Sequence, residues 1–67
     1  MEVQLNGELQ SLDGTTTIRQ LVLDLAGQER GVAVAVDGTV LPLSRWEESI
    51  GALEARSIDI LTAVQGG

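Results

Sequence analysis

Ile58-Asp59-Ile60-Leu61-Thr62-Ala63-Val64-Gln65-Gly66-Gly67 reads as a β-strand that runs without a turn into two glycines. Ile58, Ile60, Thr62 and Val64 alternate with Asp59, Leu61 and Ala63, the period-two pattern of a strand with two unlike faces. A strand at the end of a chain must find its partners upstream, so the order of the earlier elements decides the fold.

Immediately upstream, Ser44 with Glu47 has capping-box spacing and reads as the start of a single helical turn carrying Trp46. Before it, Val32, Val34 and Val36 alternate with Ala33 and Ala35, which puts valines on one face of a strand and small alanines on the other. Asp37-Gly38 turns the chain, and Thr39, Val40 and Leu41 form a short return strand that Pro42 stops. Further back, Thr17 and Gln20 make a capping box at a helix start. Ile18, Leu21, Val22 and Leu25 then fall at i, i+3, i+4 and i+7, one apolar stripe, with Gly27 placed to end the helix. At the N-terminus Val3 and Leu5 alternate with Glu2, Gln4 and Asn6, and Asn6-Gly7 leads into a second run through Leu9 and Leu12, the pattern of a hairpin closed by a primed turn.

The order β-β-α-β-β-turn-β predicts an α+β fold: a mixed sheet packed on one helix, with the first and last strands as parallel neighbours. The long intervening segment supplies the crossover such a pair requires. No repeat, linker or low-complexity stretch interrupts the chain, so residues 1–67 form one domain with a tail at 64–67. A domain of 67 residues buries only roughly 60% of its unfolded surface, and without Cys or His it has neither disulfides nor the usual zinc ligands to reinforce it. The longest purely apolar run, Val32 to Val36, is far too short to span a membrane, and Met1-Glu2-Val3-Gln4 lacks the features of a signal peptide. The expectation is a cytoplasmic protein.

Ten acidic residues face four Arg, for a net charge of −6 without any Lys. This repels nucleic acid and anionic membranes. The charge has two readings, solubility alone or steering toward basic protein partners. Catalysis has little to work with: Cys, His, Lys and Tyr are all absent, so no nucleophile-and-base arrangement can be assembled. Glu47 with Glu48, or Asp37 with Asp59, are carboxylate pairs on polar edges of a domain too small to enclose a cleft. No loop has calcium-site spacing, and Gly31 and the other glycines form no phosphate-cradling pattern. No bound cofactor or metal is expected.

The distinctive feature is the end of the chain. Gly66 and Gly67 make a thin, pliable tail that lets backbone approach another protein's active site; the plainer reading is a frayed terminus. An ionised α-carboxylate, with a reference pKa of roughly 3.3–3.7, is a poor electrophile and needs activation by another protein. Adenylation would supply a leaving group, a sulfur nucleophile could then attack, and side chains beside the reacting carbon would obstruct both steps.

The ending Ile58 to Gly67 resembles that of the ThiS family, the sulfur carriers of thiamine biosynthesis. Val32-Ala33-Val34-Ala35-Val36-Asp37-Gly38 with Val40, Pro42, Ser44 and Trp46 is similar to the family's middle section, and Leu5-Asn6-Gly7-Glu8 and Thr17-Ile18 to Leu21 to its opening. Leu43 stands where an Arg often follows the proline. Ala55-Arg56 replaces a common Gly-Asp, and a turn needing positive φ there would strain Ala55.

The resemblance implies a ubiquitin-like β-grasp fold and a non-catalytic protein. It further implies that an adenylyltransferase of ubiquitin-activating type uses ATP to adenylate Gly67. A persulfide drawn from cysteine by a cysteine desulfurase then supplies sulfur, and the Gly67 thiocarboxylate delivers it to thiazole synthase. Val64, Gln65 and Gly66 would thread the partner's active site. If their strands are neighbours, Ala33 and Ala35 on one and Leu61 and Ala63 on the other form an outer-face apolar patch leading to the tail; this reads either as a partner surface or as small residues tolerated on a sheet face. Trp46 reads as a core plug rather than a contact hot spot. The rival functions are the small subunit of molybdopterin synthase, a ubiquitin-like modifier of other proteins, and a purely structural interaction domain.

Overall fold

Two primed turns shape the sheet in the computed structural model, which describes residues 1–62. The expected tail residues Val64, Gln65, Gly66 and Gly67, and the patch residue Ala63, lie outside the described residues. Strands β1 (Glu2–Leu5) and β2 (Glu8–Ser11) pair antiparallel with Leu5 opposite Glu8. Between them Asn6 at φ 50 and Gly7 at φ 85 both occupy the left-handed region, as a two-residue primed turn requires. Strands β3 (Val32–Val36) and β4 (Thr39–Val40) repeat the device around Asp37 at φ 50 and Gly38 at φ 83.

Helix α1 (Ile18–Ala26) starts at the expected capping box: the Gln20 N–H donates to Thr17 Oγ1 at 3.1 Å and the Thr17 N–H to Gln20 Oε1 at 2.9 Å. It ends at Gly27, at φ 74, whose N–H donates to the Leu23 carbonyl at 3.0 Å. Ile18, Leu21 and Val22 are buried, but Leu25 is 51% exposed, so the apolar stripe works one turn shorter than its periodicity predicts. At i+7 from Ile18, Leu25 projects from the same side of the helix. Its exposure therefore reflects axial position, about 5 Å beyond Leu21 and Val22, past the main body of the core.

Strand β5 (Ser57–Thr62) lies between β1 and β3, giving the order β2-β1-β5-β3-β4. It runs parallel to β1, with Leu5 opposite Ile58, and antiparallel to β3, with Val34 opposite Ile60. Val3, Leu5, Val34, Ile58 and Ile60 form the sheet side of the core; Ile18, Leu21 and Val22 form the helix side. Each such residue contributes about 1.5–3 kcal/mol on burial.

The segment after β4 closes the open end of this sandwich, and here the local expectation needs correction. Ser44 does not cap: the 3₁₀ turn Leu43–Arg45 follows Pro42 without a side-chain cap. Glu47 cannot reach back to Ser44 because its carboxylate meets Arg19 at 2.8 Å, while Glu48 takes two bonds from Arg45 at 2.6 and 3.0 Å. Trp46 is buried as a core plug, its Nε1–H donating to the Leu41 carbonyl at 3.2 Å.

The same segment completes the helix start. The N–H groups of Ile18 and Arg19, which have no intrahelical acceptors, donate to the carbonyls of Glu48 and Trp46 at 3.1 and 2.9 Å. Gly51 donates to the Gly14 carbonyl at 2.9 Å, and a Cβ on Gly51 would lie 2.8 Å from that oxygen. The chain then turns through bonds from Glu54 N–H to Gly51 and Ala55 N–H to Ile50, at 3.1 Å each, the pattern of a Schellman motif. The positive φ of 51° falls on Glu54. Ala55 is the apolar residue tucked beneath, 1% exposed, so the replacement of Gly-Asp by Ala55-Arg56 places no left-handed strain on Ala55.

Candidate functional site

The sheet centre holds β5 from both sides and so fixes where the chain leaves toward residue 63. On the β1 side, Gln4 N–H donates to the Arg56 carbonyl and Asn6 N–H to the Ile58 carbonyl, both at 2.9 Å. β1 has ended by then, yet the ladder gains another bond from a side chain: Ile60 N–H donates to Asn6 Oδ1 at 2.8 Å. On the β3 side, Asp37 Oδ1 accepts from Arg56 N–H at 3.0 Å and Ser57 N–H at 2.9 Å, and Asp37 N–H donates to the Ser57 carbonyl at 2.8 Å. The sequence marks Asn6 and Asp37 only as turn residues. Their side chains also tie the two hairpins to β5, a tertiary role that turn chemistry does not reveal.

The outer face of β3 and β5 brings together part of the expected patch. Ala33 is exposed opposite Leu61, which is 64% exposed. Ala35 is half-buried and stands opposite Asp59 rather than a second apolar residue. On its other side Ala35 faces Val40, 71% exposed, so Val40 extends the apolar surface where the sequence reading assigned it only a strand role. A signal was present: a two-residue turn at Asp37-Gly38 puts Thr39 opposite Val36 and hence Val40 opposite Ala35.

The acidic pairs do not form acid-base sites. Glu47 and Glu48 bind different arginines, Arg19 and Arg45. The Glu48 carboxyl is held below its ordinary value by the Arg45 hydrogen bond. Asp37 is occupied by backbone donors and Asp59 lies exposed beyond it on β5. Among the described residues, no helix is long and apolar enough to cross a membrane.

The mixed sheet wrapped on one helix, with its inner strands β1 and β5 paired in parallel, defines a ubiquitin-like β-grasp domain. It superposes on the crystal structure of the thiamine biosynthesis protein ThiS from Geobacter metallireducens with a TM-score of 0.70 at 22% identity, covering 100% of both chains. No curated protein matches the sequence. Residues 3–67 match the ThiS family, and the chain belongs to that family.

Proposed function

We propose that this protein carries sulfur for thiamine biosynthesis as a thiocarboxylate on Gly67, acting in the cytoplasm as a co-substrate of other enzymes. The observation that carries the reading is the family match, which runs through Gly66 to Gly67. The Gly67 carboxylate attacks the α-phosphorus of ATP on an adenylyltransferase of ubiquitin-activating type, and pyrophosphate leaves. A persulfide from a cysteine desulfurase then attacks the acyl carbon and displaces AMP. A thiol cleaves the resulting acyl disulfide, leaving the thiocarboxylate, whose sulfur passes to thiazole synthase.

The folded body contributes recognition in this scheme. Ala33, Leu61 and Val40 offer apolar contact on the outer face, with Ala35 beside them. In this scheme Ala63 joins the partner contact, and Val64 and Gln65 enter the partner's active site ahead of the glycines. The net charge of −6 favours basic partner surfaces.

Intact mass after incubation with ATP, the adenylyltransferase and a sulfur donor tests the scheme. The expected product has one terminal oxygen replaced by sulfur, and a chain lacking Gly67 gives none. Sulfur transfer to a molybdopterin-synthase large subunit instead of thiazole synthase, or stable conjugates on other proteins, would overturn the thiamine assignment.

A further inference from the structure

Asp59 interrupts the apolar surface on the outer face of the sheet. Residues opposite each other on paired strands share a face, so Ala35 brings Val40 and Asp59 together in one row, and Ala33 brings Leu61 in the next. Ser57 is the other β5 residue on that side. Asp59 is therefore the one charge on the outer faces of β3, β4 and β5 among the described residues. The fold makes no ion pair with it: Arg19 binds Glu29 and Glu47, and Arg45 binds Glu48. Asp37, by contrast, spends its Oδ1 on the Arg56 and Ser57 N–H groups at 3.0 and 2.9 Å. Of the two carboxylates near Ala35, Asp59 is the one left for a partner.

Its position makes burial unavoidable once this face is covered. Leu61 follows on the same side of β5 after about 7 Å, and Ala35 stands about 5 Å across from Asp59. Ala33 and Ala35 are too small to hold a partner away. A surface that covers both Leu61, 64% exposed, and Val40, 71% exposed, also takes the Asp59 carboxylate out of water. A buried carboxylate without a partner is strongly unfavourable; one that meets a cation across an interface fixes register and excludes wrong partners.

We propose that Asp59 is the residue by which this chain selects its adenylyltransferase, whose docking surface presents an arginine or lysine to the carboxylate. The aliphatic stem of that side chain rests on Leu61 and Val40, and the charged head meets Asp59. A wholly apolar or acidic surface is rejected, because it leaves the carboxylate desolvated and unpaired. A second copy, with its own Asp59 and an equal net charge of −6, is disfavoured in the same way. The identity of the partner rests on the carrier reading; the chemistry it must present is set by the outer face.

Titration of the full chain onto the adenylyltransferase tests this. Asp59→Asn should weaken binding about tenfold or more, and raised salt, which screens exposed charges, should not erase the difference. Asp59→Glu keeps a carboxylate and should recover most of the affinity. Asp59→Leu discriminates by sign: over an apolar cover it tightens binding, whereas opposite a cation it should weaken binding at least as much as Asp59→Asn. Asp24→Asn removes an exposed charge from α1, on the other side of the sheet, and should change affinity by less than about twofold. The proposal is overturned if Asp59→Leu binds as tightly as the unaltered chain or more tightly, or if Asp59→Asn and Asp24→Asn weaken binding alike. It is equally overturned if Asp59→Asn abolishes a self-association of the isolated chain, for then a second copy covers the face. An unaltered chain that does not bind the adenylyltransferase contradicts the carrier reading itself, and this proposal with it.

Discussion

The two faces of β5 differ sharply in burial. Ile58 and Ile60 are buried against α1, whereas Asp59 and Leu61, alternating with them, meet solvent. Val36 and Val34 stand opposite the buried pair; Ala35 and Ala33 stand opposite the exposed pair. One strand therefore serves two separable purposes. Its inner face contributes to stability, and its outer face can be shaped for a partner at little cost to the fold.

The largest effect should come from the inner face. Ile58→Ala removes a fully buried side chain and should cost about 2–5 kcal/mol in urea unfolding, a large share of the stability of so small a domain. A loss below the cost of an exposed substitution would break the comparison. The ties at the ends of the strand come next. Asn6→Gly keeps the left-handed turn available but removes the acceptor of Ile60 N–H, and should cost about 1 kcal/mol. Asn6→Asp, which retains an acceptor oxygen, should recover most of that loss, and faster amide exchange at Ile60 in the glycine variant alone would locate the effect. On the outer face, Leu61→Asp should change stability by no more than about 0.5 kcal/mol while weakening binding to the adenylyltransferase; calorimetric melting and titration of the same sample separate the two.

Acid should produce the smallest change. The Thr15 backbone N–H and hydroxyl lower the Asp13 carboxyl from 3.8, and the Arg45 hydrogen bond lowers Glu48 from 4.5. Carboxyls lowered in the folded state stabilise it above their unfolded values, and that contribution fades as pH falls through their folded values. Stability should thus decline slightly below about pH 4.5, and Glu48→Gln should flatten part of that decline in pH-dependent melting. Neither group touches β5, so the difference between its faces should persist in acid.

The elements set by local rules were legible in the sequence. Asn6-Gly7 and Asp37-Gly38 announce primed turns, Thr17 with Gln20 announces the helix, and alternation from Ile58 to Leu61 sorts buried from exposed residues on β5. Features set by distant contacts were not. Ser44 and Glu47 have capping spacing, but Arg19, 28 positions away from Glu47 in the chain, captures the carboxylate. Leu25 has the right helical phase but lies beyond the core's reach. Burial of Ile50 and Ala55 depends on a turn whose strain falls on Glu54, a residue type that gives little warning of a left-handed position. At the candidate site, alternation put Ala33 and Leu61 on the outer faces of their strands, whereas their standing opposite each other, like Asp59 opposite Ala35, required the strand pairing and register.

Separation of a recognition body from a reacting tail is tested most directly by competition. A chain ending at Gln65 should occupy the adenylyltransferase and inhibit ATP-dependent pyrophosphate release supported by the full chain, while supporting none itself. Failure of the shortened chain to compete, or pyrophosphate release in its presence alone, would contradict that division of labour.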